Sequence, residues 1–176
     1  KRLRESSGQP PLGSFLLVGG EGIGKRYLAR VMGKLLYRSG SVLAFECDKI
    51  SFGSLLGSPG NTGQLLESVR RQPFQLVLFE RIDAAMPELL RQLQPILERG
   101  SCCDPSSGRE VSFQNTIFVL TTTKVAGRLA SIAGKSLSDR TWHKEAAEAV
   151  CSETSIDPGF VQAVGDVFLC HQPSDE

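Results

Sequence analysis

The 176-residue sequence lacks the features that mark several large classes of protein. No uninterrupted apolar run approaches the roughly 18 residues that a membrane-spanning helix needs, and no apolar stretch follows the basic first residues as it would in a secretory signal. Lysine and arginine number 20 against 19 aspartate and glutamate, so a net charge of +1 gives no reason to expect direct binding to nucleic acid or to an anionic membrane. We therefore predict neither a membrane protein nor a nucleic-acid-binding one.

The cysteines are few, and their spacing is not that of a metal or redox centre. The five cysteines include no CxxC pair, which excludes the usual zinc and thioredoxin-like patterns. Adjacent Cys102 and Cys103 are interpreted as two free thiols, with a redox pair as the alternative. An odd number of thiols without a disulfide pattern indicates a reducing, intracellular compartment, and no metal site is predicted.

Short apolar strands alternate with amphipathic helices along the chain. Hydrophobic residues make up 40% and charged residues 22% of the sequence, which suffices for one packed domain after a linker over residues 1–12. Pro95 is expected to kink or shorten its helix, and residues 121–157 are expected to be less regular apart from their last helix. The alternation predicts an α/β fold, a five-stranded parallel sheet flanked by helices. The predicted strands are 15–18, 42–45, 75–79, 115–120 and 167–169, and the predicted helices are 26–38, 64–72, 87–99 and 141–150.

A glycine-rich segment after the first strand matches the phosphate-loop pattern GxxxxGK. It lies directly between a strand and a helix, where glycines let backbone N–H groups surround a phosphate and the helix N-terminus adds positive partial charge. Lys25 is expected to reach the outer phosphates, and a turn that binds nothing is the alternative. The candidate ATP- or ADP-binding residues are Gly19, Gly20, Glu21, Gly22, Ile23, Gly24, Lys25 and Arg26.

Two residues of this loop are unfavourable for a magnesium nucleotide. Arg26 stands where the motif has a serine or threonine, whose hydroxyl ligates Mg²⁺. A guanidinium cannot ligate a cation and adds like charge beside it. Glu21 brings an acid to the position of the phosphates. We therefore expect weak nucleotide binding that depends little on Mg²⁺.

Four segments in order resemble the second ATPase module of the Clp-type AAA+ unfoldases and disaggregases. They are PLGSFLLVGGEGIGK, GQLLESVRRQPFQLVLFERIDAAMPELL, LERG with SSGREVSFQNTIFVLT, and PGFVQAVGDVFL. In that family the corresponding segments hold the ATP loop, the Walker B acids, a β-hairpin with the sensor 1 strand, and the arginine-finger helix. The resemblance implies an AAA+ P-loop NTPase large subdomain over residues 13–176, with the family's helical lid beyond this chain. It also implies that the loop strand neighbours the strands at 75–79 and 115–120.

The sequence departs from that family at the positions that carry catalysis. Where the family has Asp-Glu after the Walker B strand, this chain has Glu80 and Arg81, and Arg81 cannot act as a base at neutral pH. Asp83 is the nearby acid available as a substitute, and we interpret it as a helix N-terminal acid. Thr123 stands at sensor 1, where the family usually has asparagine. Ala163 stands at the arginine finger.

Two further differences concern the ring and the pore. Arg128 and Arg140 are the alternative sources of a finger, although nothing in the sequence brings either to the site. The segment 57–63 corresponds to the family's pore loop but is shorter and has no aromatic residue. Translocation of a polypeptide through this module is therefore not expected.

These joint departures favour a degenerate Clp-like module, a pseudo-ATPase that serves as a protein-interaction scaffold with weak or no ATP binding. One alternative is a functioning ATP-binding chaperone or unfoldase subunit, an enzyme whose missing groups come from neighbouring modules or ring partners. Another is a repressor module of the plant strigolactone and karrikin pathways, which Gly24-Lys25-Arg26 and GREVSFQNTIFVLT also resemble. Such a module docks a receptor or F-box complex in the nucleus. The expected partners are thus proteins, in the cytoplasm or the nucleus.

Overall fold

Nine strands and seven helices make up the described part of the chain. The structure, a computed structural model, describes residues 8–37, 40, 42–133 and 139–170. The strands are β1 (Gly13–Val18), β2 (Val42–Glu46), β3 (Gly57–Ser58), β4 (Asn61–Thr62), β5 (Gln75–Glu80), β6 (Ser101–Cys103), β7 (Glu110–Ser112), β8 (Thr116–Thr122) and β9 (Asp166–Leu169). The helices are α1 (Lys25–Leu36), α2 (Phe52–Leu56), α3 (Gln64–Arg71), α4 (Pro87–Arg99), α5 (Ala126–Ala133), α6 (Asp139–Glu153) and α7 (Pro158–Val164), and a 3-10 turn covers Ile82–Ala84.

Five of these strands, all parallel, form the central sheet in the order β2–β5–β8–β1–β9. The remaining four form two antiparallel hairpins, β3–β4 and β6–β7. The predicted five-stranded parallel α/β fold is therefore confirmed. The prediction that β5 neighbours the loop strand is wrong, since β1 lies between β8 and β9. All seven residues of β8 are buried, which requires strands on both of its edges, so β8 lies between β1 and β5.

Alternate residues of each strand are buried on opposite faces of the sheet, as the pleat requires. Leu17 contributes to a smaller core that α1 covers through Ala29. Leu16 contributes to a larger core that α3, α4 and α7 cover. Three phenylalanine rings run across this second face on neighbouring strands, with centroids 5.6 Å apart for Phe45–Phe79 and 6.2 Å apart for Phe79–Phe118. The sheet is thus fixed from both sides, and its carboxyl edge is held in one geometry.

The predicted elements all occur, most of them with ends that differ by one to three residues. The first helix ends at Leu36, because Tyr37 is its C-cap and has an extended backbone, so the predicted end at residue 38 is too late. Of the two effects expected of Pro95, a kink or a shortening, the shortening does not occur, because α4 continues to Arg99 while Leu93 and Ile96 on either side are buried in the core. Helix α5 occurs within the stretch predicted to be irregular.

The residues just before β1 lie against the sheet. Pro11 is buried, and the Leu12 N–H donates to the Thr116 carbonyl at 3.1 Å, so this end of the predicted linker extends the β1–β8 pairing. Across the ranges that the structure describes, no helix is both long enough and apolar enough to cross a membrane.

Candidate functional site

The phosphate loop and the ends of two neighbouring strands enclose a cavity of about 540 Å³ at the carboxyl edge of the sheet. Loop residues 21–26 form one wall. Glu80 and Arg81, at the end of β5, and Thr121 and Thr123, at the end of β8, form the other. Carboxyl ends of parallel strands are where ligands bind in open α/β sheets. The structure therefore brings together the predicted loop, Walker B and sensor 1 residues.

Two glycines give the loop its shape. Gly22 and Gly24 have φ angles of 78° and 93°, in the left-handed region where residues with a Cβ are strained. A Cβ built on either would meet nothing within 4 Å, because both face open space. Gly24 is also the N-cap of α1 and supplies no side-chain cap to its first N–H groups. The backbone thus keeps a cradle in which a phosphate fits.

Lys25 is held by its own loop. Its Nζ donates to the carbonyls of Gly19 at 2.6 Å and Gly20 at 2.7 Å. Partial burial lowers the pKa of the Lys25 ammonium, whereas the nearby Cys170 thiol and the carboxylates of Glu21 and Glu80 act to raise it. To bind phosphate, the ammonium must exchange these carbonyls for phosphate oxygens.

Arg26 and Glu80, which the sequence resemblance places where magnesium ligands are expected, pair with each other. Arg26 Nε donates to Glu80 Oε1 at 2.6 Å, and Arg26 Nη2 donates to Glu80 Oε2. Arg26 Nη2 also lies 3.7 Å from Glu46 Oε1. The hydrogen bond and charge of Glu80 raise the pKa of Arg26. A bidentate ion pair therefore joins the first turn of α1 to the end of β5.

Arg81 lines the cavity and is paired with an acid that follows β2. Its φ of 56° places a residue with a Cβ in the left-handed region, and its N–H donates to Thr121 Oγ1 at 3.3 Å. Its Nη1 donates to Asp48 Oδ2 at 2.7 Å. At the position where the sequence resemblance led us to expect a catalytic carboxylate, the chain thus has a guanidinium in an ion pair.

Asp83 is bound elsewhere and does not substitute for that carboxylate. Its Oδ1 accepts from Thr122 Oγ1 at 2.6 Å, and its Oδ2 lies 3.4 Å from Lys124 Nζ. The side chain is only 7% exposed and lies in the 3-10 turn that follows β5. Thr123, one residue beyond Thr122, is exposed and lines the cavity.

The predicted finger position is not brought to this cavity. Ala163 is half-buried on α7 and packs against the larger core. Arg128 Nη1 donates to Ser152 Oγ at 2.7 Å and lies 3.5 Å from Glu153, so it joins α5 to α6. The side chain of Arg140 lies outside the described residues.

The segment compared with a pore loop is a tight hairpin. Residues 57–63 contain β3 and β4, with Gly60 in the turn at a φ of 83°. The hydroxyl of Thr62 lies 2.8 Å from that of Ser106 in the loop between β6 and β7. The two hairpins are therefore joined side by side.

A buried carboxylate organises the second of these hairpins. Asp104 is 0% exposed and accepts hydrogen bonds at 2.8 Å from the Ser106 N–H and hydroxyl and from the Ser107 hydroxyl. Arg70 on α3 lies 2.8 Å from its Oδ2. Burial acts to raise the pKa of Asp104, but these hydrogen bonds and the Arg70 charge together lower it well below its ordinary value.

Sequence reasoning missed several residues of the site. Glu46 is the last residue of β2 and lies near Arg26, and Asp48, two residues further on, pairs with Arg81. Thr121 accepts the Arg81 N–H. These residues could have been found from the sequence, because β2 is also a predicted parallel strand and its last residues therefore lie at the carboxyl edge of the sheet. A second cavity, of about 700 Å³, adjoins Lys25 between β1, α1 and β9, and its lining is mainly apolar.

The loop between β1 and α1 and the position of β8 between β5 and β1 define the AAA+ type of P-loop nucleoside-triphosphatase fold. The chain belongs to the AAA domain family, Cdc48 subfamily, whose family model matches residues 10–161.

Its relatives include Clp proteins. The chain and the chaperone protein ClpB 1 of Nostoc sp. are 31% identical over 172 residues. This match covers 92% of this chain and 19% of that protein. It is 32% identical over 177 residues to the negative regulator of genetic competence ClpC/MecB of Bacillus subtilis, covering 92% of this chain and 22% of that protein. The chain thus spans about a fifth of the length of these relatives.

Solved structures share the fold. The Saccharomyces cerevisiae Hsp104–ADP complex matches with a TM-score of 0.70 and 18% identity, over 97% of this chain and 30% of that one. The S. cerevisiae Hsp104–casein complex in its extended conformation matches with a TM-score of 0.72 and 21% identity, over 91% of this chain and 28% of that one.

Proposed function

We propose that this chain is a Clp-type AAA module that does not hydrolyse ATP and serves as a protein-interaction scaffold, with at most weak binding of ATP or ADP. The observation that carries the proposal is the pairing of Arg26 with Glu80. Both oxygens of this carboxylate accept from one guanidinium, whose positive charge offsets that of Glu80 and disfavours a metal ion beside it.

The other groups around the cavity support the same conclusion. Arg81 has no basic lone pair at neutral pH and is paired with Asp48. Asp83 is held by Thr122 and Lys124. Ala163 offers no charge to a neighbouring subunit, and an arginine finger is worth on the order of 10³-fold or more in rate in related enzymes.

A second candidate is a functioning ATPase subunit whose missing groups come from neighbouring modules. The intact cradle at Gly22 and Gly24 and the adjacent apolar cavity favour this candidate, because both suit a nucleotide. A finger is readily supplied from another subunit. A base has to replace Arg81 within the same cavity, which is why we rank this candidate second.

ATP hydrolysis by the full-length protein separates the two. We compare the wild type with Arg81→Glu plus Ala163→Arg, and use Arg91→Glu, an exposed site on α4, as the charge control. The scaffold proposal predicts that the wild type shows no hydrolysis dependent on Lys25, as measured against Lys25→Ala. Any gain should occur in the repaired variant only.

Two outcomes bear against the proposal. Wild-type hydrolysis that Lys25→Ala abolishes shows that other groups supply the chemistry. Equal and measurable rates in the wild type and the repaired variant, both above that of Lys25→Ala, show that Arg81 and Ala163 are not the limiting defects.

A further inference from the structure

We infer that the Arg26–Glu80 ion pair takes the place of the magnesium ion in this site, so that the cavity binds a nucleoside diphosphate or triphosphate in its metal-free form. This inference deepens the proposed function and rests on its weak nucleotide binding. The inference concerns whether the nucleotide binds with or without Mg²⁺. Hydrolysis is a separate property and is measured separately.

The Mg²⁺ ion that the fold family implies does not fit the residues present. Mg²⁺ requires near-octahedral oxygen ligands at about 2.0–2.1 Å, usually including one or two carboxylates. Among the described residues, two carboxylates line the cavity, Glu21 in the loop and Glu80 at the end of β5, and both oxygens of Glu80 accept from Arg26. Arg26 also stands at the position where a hydroxyl is needed and offers only donors. A metal ion bound by Glu80 would lie beside the Arg26 guanidinium, whose like charge repels it.

No other set of ligands in the described ranges replaces the lost one. There, no group of three or more His, Cys, Asp or Glu side chains is arranged to hold a metal ion. Three further acids at this edge have basic partners of their own: Glu46 with Lys49, Asp48 with Arg81, and Asp83 with Lys124. These three carboxylates are thus neutralised by side chains.

The cavity itself suits a bare polyphosphate. Its charged lining consists of three cations, Lys25, Arg26 and Arg81, against two acids, Glu21 and Glu80. The pair with Glu80 uses Nε and Nη2 of Arg26, which leaves Nη1 outside the pair, and the side chain is 49% exposed. A guanidinium is a strong donor to phosphate oxygens. Arg26 can therefore contact phosphate while it stays bound to Glu80.

The test uses the full-length protein and a fluorescent ADP analogue (N-methylanthraniloyl-ADP), titrated with excess Mg²⁺ and with a chelator. Subtracting the binding of Lys25→Ala isolates this site. We expect Mg²⁺ to weaken wild-type binding or to change its dissociation constant by less than about twofold. Arg26→Thr should reverse this response, so that Mg²⁺ tightens binding by about fivefold or more.

Three variants make the result specific to the pair. Arg30→Thr changes an exposed arginine one turn further along α1 and should keep the wild-type response. Arg26→Lys keeps the positive charge and should also show the wild-type response to Mg²⁺. If Arg26→Thr does not fold, Arg26→Met removes the charge, retains an apolar stem and carries the same prediction.

The opposite results overturn the inference. They are wild-type binding that Mg²⁺ strengthens about tenfold, or an Arg26→Thr variant with the wild-type magnesium response. Absence of any Lys25-dependent binding in the wild type also overturns it, while leaving the scaffold proposal in place. Hydrolysis by the wild type overturns the scaffold proposal, and the response to magnesium is then read independently.

Discussion

Breaking the Arg26–Glu80 pair should lower the free energy of unfolding by an amount that a double-mutant cycle can isolate. The variants are Arg26→Met, which keeps the apolar stem, Glu80→Gln, which keeps the shape, and the two combined. The cycle removes each residue's separate contribution and leaves the coupling energy of the pair. Because the pair joins α1 to β5, this energy also measures how firmly the loop helix is held to the sheet.

The structure sets the magnitude. Unit charges about 4 Å apart attract by about 1 kcal/mol in bulk water and by about 4 kcal/mol at the effective dielectric near a protein surface. Glu80 is 15% exposed but Arg26 is 49% exposed, so solvent screens one side of the pair. Exposed pairs usually contribute about 0.2–1 kcal/mol, and bidentate geometry raises that value. We expect a coupling energy of about 1–1.5 kcal/mol, smaller at high salt.

Urea denaturation of the four proteins at low and high salt is the assay. The exposed pair of Arg71 with Glu67 on α3 supplies the control cycle, with an expected coupling of about 0.3–0.5 kcal/mol. A coupling energy for Arg26–Glu80 within about 0.3 kcal/mol of zero contradicts our reasoning. The position beside Glu80 that the Arg26 guanidinium occupies would then be free to accept a metal ion.

Three further predictions concern the loop, a hairpin and a thiol. Gly24→Ala should lower the free energy of unfolding, measured in urea, by about 1–2 kcal/mol because the φ angle of Gly24 is 93°. Gly20 lacks a positive φ, so Gly20→Ala should be nearly neutral, and equal losses in the two variants would contradict this explanation. Asp104→Asn should lower the free energy of unfolding at neutral pH, and the difference from the wild type should shrink as the pH falls below about 4. The folded-state pKa of Asp104 lies below its unfolded-state value, so the stability that its charged form contributes is lost as the pH falls through the folded-state pKa. Denaturation midpoints across that pH range, with exposed Glu110→Gln as control, check it, and a deficit independent of pH would count against it. Burial raises the pKa of the Cys47 thiol to about 12, so iodoacetamide at about pH 8 should modify it slowly in the native protein and rapidly in urea, as followed by peptide mass mapping; equal rates would refute its burial.

Local sequence patterns suffice for the secondary structure and for most of the candidate site. The strands are predictable because buried parallel strands are short apolar runs, and the loop is predictable because its glycines lie directly between a strand and a helix. Arg26, Arg81 and Ala163 are recognisable as departures since each stands at a fixed place in a motif. Helix α5 was missed because its small residues give little periodicity, and α4 keeps its predicted length of 87–99 because burial on both sides of Pro95 outweighs the missing N–H.

The partners of these residues depend on the tertiary structure alone. Arg26 and Glu80 are 54 positions apart, and no local pattern relates them; the order of the strands brings the end of β5 to the start of α1. The same order brings the end of β2 beside Arg81 and inserts β8 between β5 and β1. Ion pairs between distant positions follow from how the sheet is assembled, because strand order is set by buried contacts across the whole core. Sequence alone therefore identifies a glycine loop followed by an arginine in place of a hydroxyl, and the fold shows that this arginine pairs with Glu80.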